Sequence, residues 1–121
     1  MNFQNQVQEM DAMVSKGAIV DAVKTYFADN AATSDYGNVT TSGKSQMVEK
    51  MEGFVGSIAQ VNGIQHHHTI VGDNVSASEF TFDFDMKDGS KVLWHEIIRR
   101  VWNEDGKVVA EEYFEAAKPH A

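Results

Sequence analysis

The sequence predicts an α+β fold in which three N-terminal helices pack on one face of an antiparallel sheet. Two features of the chain predict it. Through the first half, apolar residues recur at helical spacing, and beyond Phe80 the pattern changes to long β-branched and aromatic runs. Those runs are interrupted twice by Asp-Gly, at Asp88-Gly89 and Asp105-Gly106, the strongest short-range hairpin signal a sequence carries. Helices gathered before strands, instead of alternating with them, imply segregated layers.

Taken in order, Phe3, Val7, Met10 and Val14 form the stripe of a first helix, which Ser15-Lys16-Gly17 ends with a cation in the last turn and a glycine beyond. Ile19, Ala22, Val23, Tyr26 and Phe27 stripe a second helix that finishes near Asp29-Asn30, and the two stripes need a shared core. Ala31 to Tyr36 is short and β-capable, and Gly37-Asn38 breaks it. Thr41-Ser42 offers N-cap oxygens to a third helix whose face is Met47, Met51, Phe54, Ile58 and Val61. Gly53 and Gly56 each cost that helix about 1 kcal/mol against alanine, which points to close packing against a neighbour or to a mobile segment. Asn62-Gly63 stops it, and strands follow over 64–71, 75–86, 91–102 and 107–115.

Composition bounds the answer. At 121 residues and 42% apolar, residues 1–121 make one domain, long enough to bury a core. The net charge of −8 is the wrong sign for nucleic acid or an anionic membrane. There is no cysteine, so neither disulfides nor a thiol nucleophile are expected. The first residues have no basic n-region followed by an apolar h-region, and no run reaches membrane length, so the expected location is the cytoplasm. No motif calls for a cofactor.

Strand register decides what faces inward. Taking Asp88-Gly89 as a two-residue loop puts Phe84 opposite Leu93, Phe82 opposite His95 and Phe80 opposite Ile97. At the second turn, one bulged residue pairs Trp102 with Val108, Val101 with Val109 and Ile97 with Tyr113. The face toward the helices then carries the three phenylalanines with His95, Arg99, Glu111 and Tyr113, with Arg99 opposite Glu111 and His95 diagonal to Tyr113. The other face carries Trp94, Ile98, Trp102 and Phe114, too apolar a patch for open water, with Glu96, Arg100 and Glu112 free to pair among themselves. A second copy of the same sheet is the simplest cover, giving a homodimer through that patch. A slip of one residue would invert these assignments.

The order of elements, the Tyr26-Phe-Ala-Asp-Asn-Ala31 segment, the Gly43-Lys44-Ser45 entry to the third helix and the closing Trp102-Asn-Glu-Asp-Gly-Lys-Val108 with Glu112-Tyr-Phe-Glu115 resemble the SnoaL-like branch of the NTF2-like superfamily over nearly the whole chain. The resemblance implies a cone in which a strongly curved sheet wraps the helices around a deep, mostly apolar pocket. Relatives of this type include ketosteroid isomerases, polyketide cyclases, scytalone dehydratase, limonene-epoxide hydrolase and binding-only proteins. It implies a general-base position at Asp35, an acid position on the last strand that Tyr113 occupies here, and sheet histidines whose nearest counterparts are His66 and His95. Where the isomerases place an oxyanion tyrosine, this chain has Met10 and Asp11. No subfamily's full catalytic set is present, so fold transfers and activity does not.

Candidate site residues follow from both readings. Asp35 is a carboxylate at a pocket mouth suited to proton abstraction beside a carbonyl, or an exposed turn aspartate before Gly37. Ile64 and Ile70 share strand parity with His66 and His68, so those two should face inward and His67 out; three successive histidines cannot chelate one metal, and no metal is expected. His95 and Tyr113 are candidate proton donors, and Arg99 with Glu111 a candidate anchor for an anionic or carbonyl group, or a structural ion pair. Tyr26 and Phe82 complete the ligand-binding set, Tyr26 with plain core packing as its alternative. Met10, Met13, Met47 and Met51 read as core filler. Three functions remain open. One is a pocket for a mainly hydrophobic or aromatic small molecule. Another is a cofactor-free acid–base enzyme (isomerase, cyclase, dehydratase or hydrolase) with Asp35 as base. The third is a dimerisation module whose interior is filled by its own phenylalanines, which predicts no cavity.

Overall fold

The computed structural model describes residues 3–35 and 37–116. Helices α1 (Gln4–Ser15) and α2 (Ile19–Tyr26) are followed by strands β1 (Phe27–Asp35) and β2 (Asn38–Ser42). Helix α3 (Lys44–Gly56) then leads into β3 (Ile58–Val71), β4 (Val75–Met86), β5 (Lys91–Trp102) and β6 (Val108–Glu115). The six strands form one sheet in the order β2-β1-β6-β5-β4-β3. All neighbours are antiparallel except β1 and β6, which run parallel. The sheet is therefore larger than the expected one short and four long strands, and mixed. Tyr36, placed at the end of the short strand by sequence, lies outside the described residues.

Two helix boundaries differ from the sequence expectation. Helix α2 stops at Tyr26, where Phe27 turns to extended backbone (ψ 136°) and starts β1. Helix α3 ends at Gly56, and Ile58 and Val61, expected on its apolar face, are the opening residues of β3. Its N-cap is Gly43 (φ 97°) and carries no side-chain cap; Gln46 instead reaches back to accept the Ser42 N–H at 2.9 Å. A side chain at Gly53 or Gly56 would meet nothing within 4 Å, so close packing does not explain either glycine.

The largest correction is in register. The first hairpin closes at Met86 and Ser90 (Met86 N–H to Ser90 O, 2.9 Å), leaving three loop residues, Lys87, Asp88 and Gly89. Gly89 (φ 88°) sits at the left-handed position of a G1 bulge, and Asp88 Oδ1 accepts from the Ser90 backbone and hydroxyl at 2.9 and 2.6 Å. One more loop residue than expected shifts every pairing: Phe84 faces Val92, Phe82 faces Trp94 and Phe80 faces Glu96. The second hairpin has the same build, with Asn103 and Lys107 closing Glu104-Asp105-Gly106 (φ 75°). Trp102 does pair with Val108, but Val109 is itself the bulged residue, so Arg100 faces Glu111 and Ile98 faces Tyr113.

Consequently the even-numbered residues of β5 face the helices. Ile98 and Trp102 are each 2% exposed, and Trp102 stacks on Phe3 and meets Tyr26 edge-on. The Trp94, Ile98, Trp102 and Phe114 patch expected to meet a second subunit does not exist as such: three of its members turn inward and only Phe114 remains on the outer face. His95 and Arg99 turn outward with it, half-buried, His95 bonded to Glu79 at 2.5 Å and Arg99 to Glu112 at 3.0 Å. A core of Val7, Met10, Phe27, Met47, Phe80, Phe84 and Val108, each at most 1% exposed, joins helices to sheet. Each such side chain contributes about 1.5–3 kcal/mol by leaving water.

Candidate functional site

Between the helices and the inner face of the sheet lies a cavity of about 240 Å³. Val14, Ala22, Met51 and Phe54 wall it from the helices, and Phe82, Phe84, Trp94 and Ile98 from the sheet. A cavity is not what a phenylalanine-filled interior predicts, although this one is smaller than the ~300 Å³ expected of a ligand pocket. Phe54 stacks on Trp94 (centroids 5.5 Å apart, 17° between planes), so the rim is a pair of parallel aromatic faces. Trp94 remains 42% exposed there.

The polar lining is built by strand alternation. On β5, Glu96 and Arg100 share the inner face with Trp94 and Ile98, and on β6, Glu111 and Tyr113 do the same. Arg100, 1% exposed, donates its Nε–H to Glu111 Oε2 and an Nη1–H to Asp11 Oδ1, both at 2.9 Å. Asp11 comes from α1, and its second oxygen accepts from Thr69 and Ser78, both at 2.8 Å. A buried cation is thus held between two buried carboxylates, the only economical way to keep these charges out of water. Burial alone would push the Arg100 pKa down; Glu111 and Asp11 more than offset that, and it is raised. Tyr113 donates its hydroxyl to Glu111 Oε1 at 2.6 Å. Burial, then the Glu111 charge, raises its pKa well above the ordinary phenol value, so Tyr113 keeps its proton.

Also on the cavity, Asp35 and Lys50 form an ion pair at 2.9 Å, and Lys50 donates to Thr40 at 3.0 Å. Asp35 is the register partner of Tyr113 across the parallel β1–β6 ladder, so these two side chains belong to neighbouring strands of one cavity.

The sequence candidates therefore separate into two groups. Asp35, Phe82, Glu111 and Tyr113 line the cavity together. His95, Arg99 and His68 do not. A bulge between His66 and His68 puts His68 opposite Glu79 on the outer face beside His67, not inward as strand parity suggested. His66 shares the face of Phe80, stacking on its ring and meeting Thr69 Oγ1 at 2.5 Å, but it is solvent-exposed and does not line the cavity. Tyr26 packs on Trp102, with burial and a hydrogen bond to Glu9 pushing its pKa up to about 12.

Sequence reasoning passed over Asp11, Lys50, Trp94, Glu96 and Arg100 as parts of the site. Asp11 left a readable trace: it stands four residues after Val7 and three before Val14, a carboxylate within an apolar helical stripe. Glu96 and Arg100 became visible only once the hairpin loop length was known.

No protein-family model matches the sequence, and neither does any curated protein. Solved structures do match in shape. A SnoaL-like protein of polyketide-cyclase type from Mesorhizobium loti superposes with a TM-score of 0.82 at 20% identity, covering 94% of this chain and 99% of its own. The epoxide hydrolase/cyclase-like enzyme SalBIII, of pyran-ring formation in the polyether salinomycin, gives 0.75 at 20% identity, covering 94% and 90%. A protein of ketosteroid isomerase-like fold from Catenulispora acidiphila, in complex with trimethylamine, gives 0.69 at 13% identity, covering 85% and 79%. At these identities it is the fold alone that is shared: the chain adopts the fold seen in SnoaL-like and NTF2-like proteins.

Proposed function

We propose that residues 1–121 act as a single pocket domain that binds a small, mainly hydrophobic organic molecule, with polar anchoring at Glu96, Glu111 and Tyr113. The observation that carries this is the cavity itself: apolar and aromatic walls with a few convergent polar groups, the usual build of a small-molecule site. That a protein of this fold was crystallised with trimethylamine is consistent with such use. Trp94 supplies the test, because one of the chain's two tryptophans is at the rim and the other is packed in the core. A hydrophobic ligand should change Trp94 emission and raise the melting temperature, and Trp94→Phe should remove the optical signal. Blocking the cavity with Ala22→Trp, provided the variant folds, should abolish the thermal shift. Ligand-induced stabilisation that survives Ala22→Trp would refute the reading.

A second reading is favoured by one observation, the position of Asp35 beside Tyr113 on the same cavity. Here the site does cofactor-free acid–base chemistry with Asp35 as base, Lys50 orienting it through their ion pair. His95 and Arg99 take no part in this version, since both face outward. Asp35→Asn should then abolish turnover of any substrate found while leaving its binding within about twofold. Unchanged turnover in Asp35→Asn would remove the enzyme reading and leave the pocket.

A further inference from the structure

We propose that the cavity selects an organic cation, a hydrophobic molecule carrying a protonated amine, over a neutral or anionic ligand of the same shape. The inference rests on the pocket reading above and deepens it by naming the ligand's charge. Among the described residues, three carboxyl side chains (Asp35, Glu96, Glu111) and two cations (Lys50, Arg100) line the cavity. Asp11, bonded to Arg100 from behind, brings a further carboxylate to the same cluster. Formally, three negative groups of the lining face two positive ones, and Asp11 adds a fourth behind Arg100, with His66 Nε2 3.6 Å from it.

The two cations are also the groups least able to meet a ligand. Arg100 is committed to Glu111 and Asp11, and its single charge is matched by two carboxylates. Lys50 holds Asp35 and Thr40. Tyr113, the one phenol among the described lining residues, spends its O–H on Glu111 and so offers a ligand only lone pairs. An anionic ligand would meet cations whose charge is already committed to carboxylates and would add negative charge to an excess of it. A cation would reduce that excess inside a low-dielectric space, where pairing is worth most. The rim completes the match, because the Phe54 and Trp94 faces, with Phe82 and Phe84 deeper, attract a cation through their ring quadrupoles.

The test compares three probes that share one hydrophobic frame: 4-phenylbutylamine, 4-phenylbutan-1-ol and 4-phenylbutyrate, titrated against Trp94 emission and by calorimetry at neutral pH. The amine should bind about tenfold or more tighter than the alcohol, and the carboxylate weakest. Glu96→Gln and, separately, Asp35→Asn should each weaken the amine more than the alcohol and so narrow the amine's lead. An alcohol or carboxylate that binds as tightly as the amine would overturn the cation inference and leave the pocket reading standing. If none of the three perturbs Trp94 or gives heat, the pocket reading falls and the inference falls with it.

Discussion

Arg100 is the residue on which the interior depends. With Nε on Glu111 and Nη1 on Asp11, it bridges two carboxylates from elements far apart in sequence, α1 and β6. Removing one partner of a buried ion pair costs far more than the pair contributes, because the charge left behind has no solvent. Arg100→Ala should therefore destabilise the chain by about 3–5 kcal/mol in urea unfolding. Asp11→Ala leaves Arg100 still bonded to Glu111 and should cost less, though Thr69 and Ser78 also lose an acceptor. A second residue-scale outcome concerns alkaline pH. Tyr26 and Tyr113 both have folded pKa values above the usual phenol value of about 10, Tyr26 at about 12. In the unfolded chain each ionises near 10, so the neutral form is favoured by folding. The stability this contributes is complete below pH about 10 and is lost as pH rises through the folded values. A phenolate absorbance titration of the folded protein should show two tyrosines resisting ionisation near 10 and releasing together with unfolding.

At the scale of elements, both β-meander turns have the same construction, a three-residue loop ending in a left-handed glycine. Asp-Gly announced the turns correctly but not their length, since the dipeptide serves a two-residue type I′ turn and a three-residue loop with a G1 bulge alike. One loop residue moved Arg99 and His95 outward and brought Arg100 and Glu96 in. The existence of β4 and β5, by contrast, was legible to the residue, because their aromatic and β-branched runs are long and bounded by turn residues. The glycines give a prediction with two signs. Gly89→Ala and Gly106→Ala force a β-carbon into positive φ and should each destabilise by about 1–2 kcal/mol. Gly53→Ala and Gly56→Ala, in α3 with open space around them, should each stabilise by about 0.5–1 kcal/mol. Thermal melts of the four variants check both.

For the whole molecule, the helix-on-sheet layering follows from patterning that the sequence displays openly, whereas a cavity between the layers was expected only from the family resemblance. What the sequence conceals is the closure of the sheet. Strand β1 pairs in parallel with β6 across most of the chain, with Phe27 against Val108 and Asp35 against Tyr113. Such a pairing has no turn and no local signal to announce it. Yet it is this ladder that brings Asp35 to the cavity. Glu111 and Tyr113 were expected on the inner face, but through a register whose one-residue errors at the two turns cancel on β6; the rest of the site was hidden behind a loop length, a bulge or a long-range pairing. No helix among the described residues is long and apolar enough to cross a membrane.

The account stands on β5 presenting its even-numbered side chains to the interior. The chain has no cysteine, so single substitutions report this directly. Thiol labelling of Arg99→Cys and Ile98→Cys in the native state should be fast at position 99 and strongly protected at 98, with the difference abolished in denaturant. Rapid labelling at 98 together with protection at 99 would contradict it, and would return His95 and Arg99 to the cavity in place of Glu96 and Arg100.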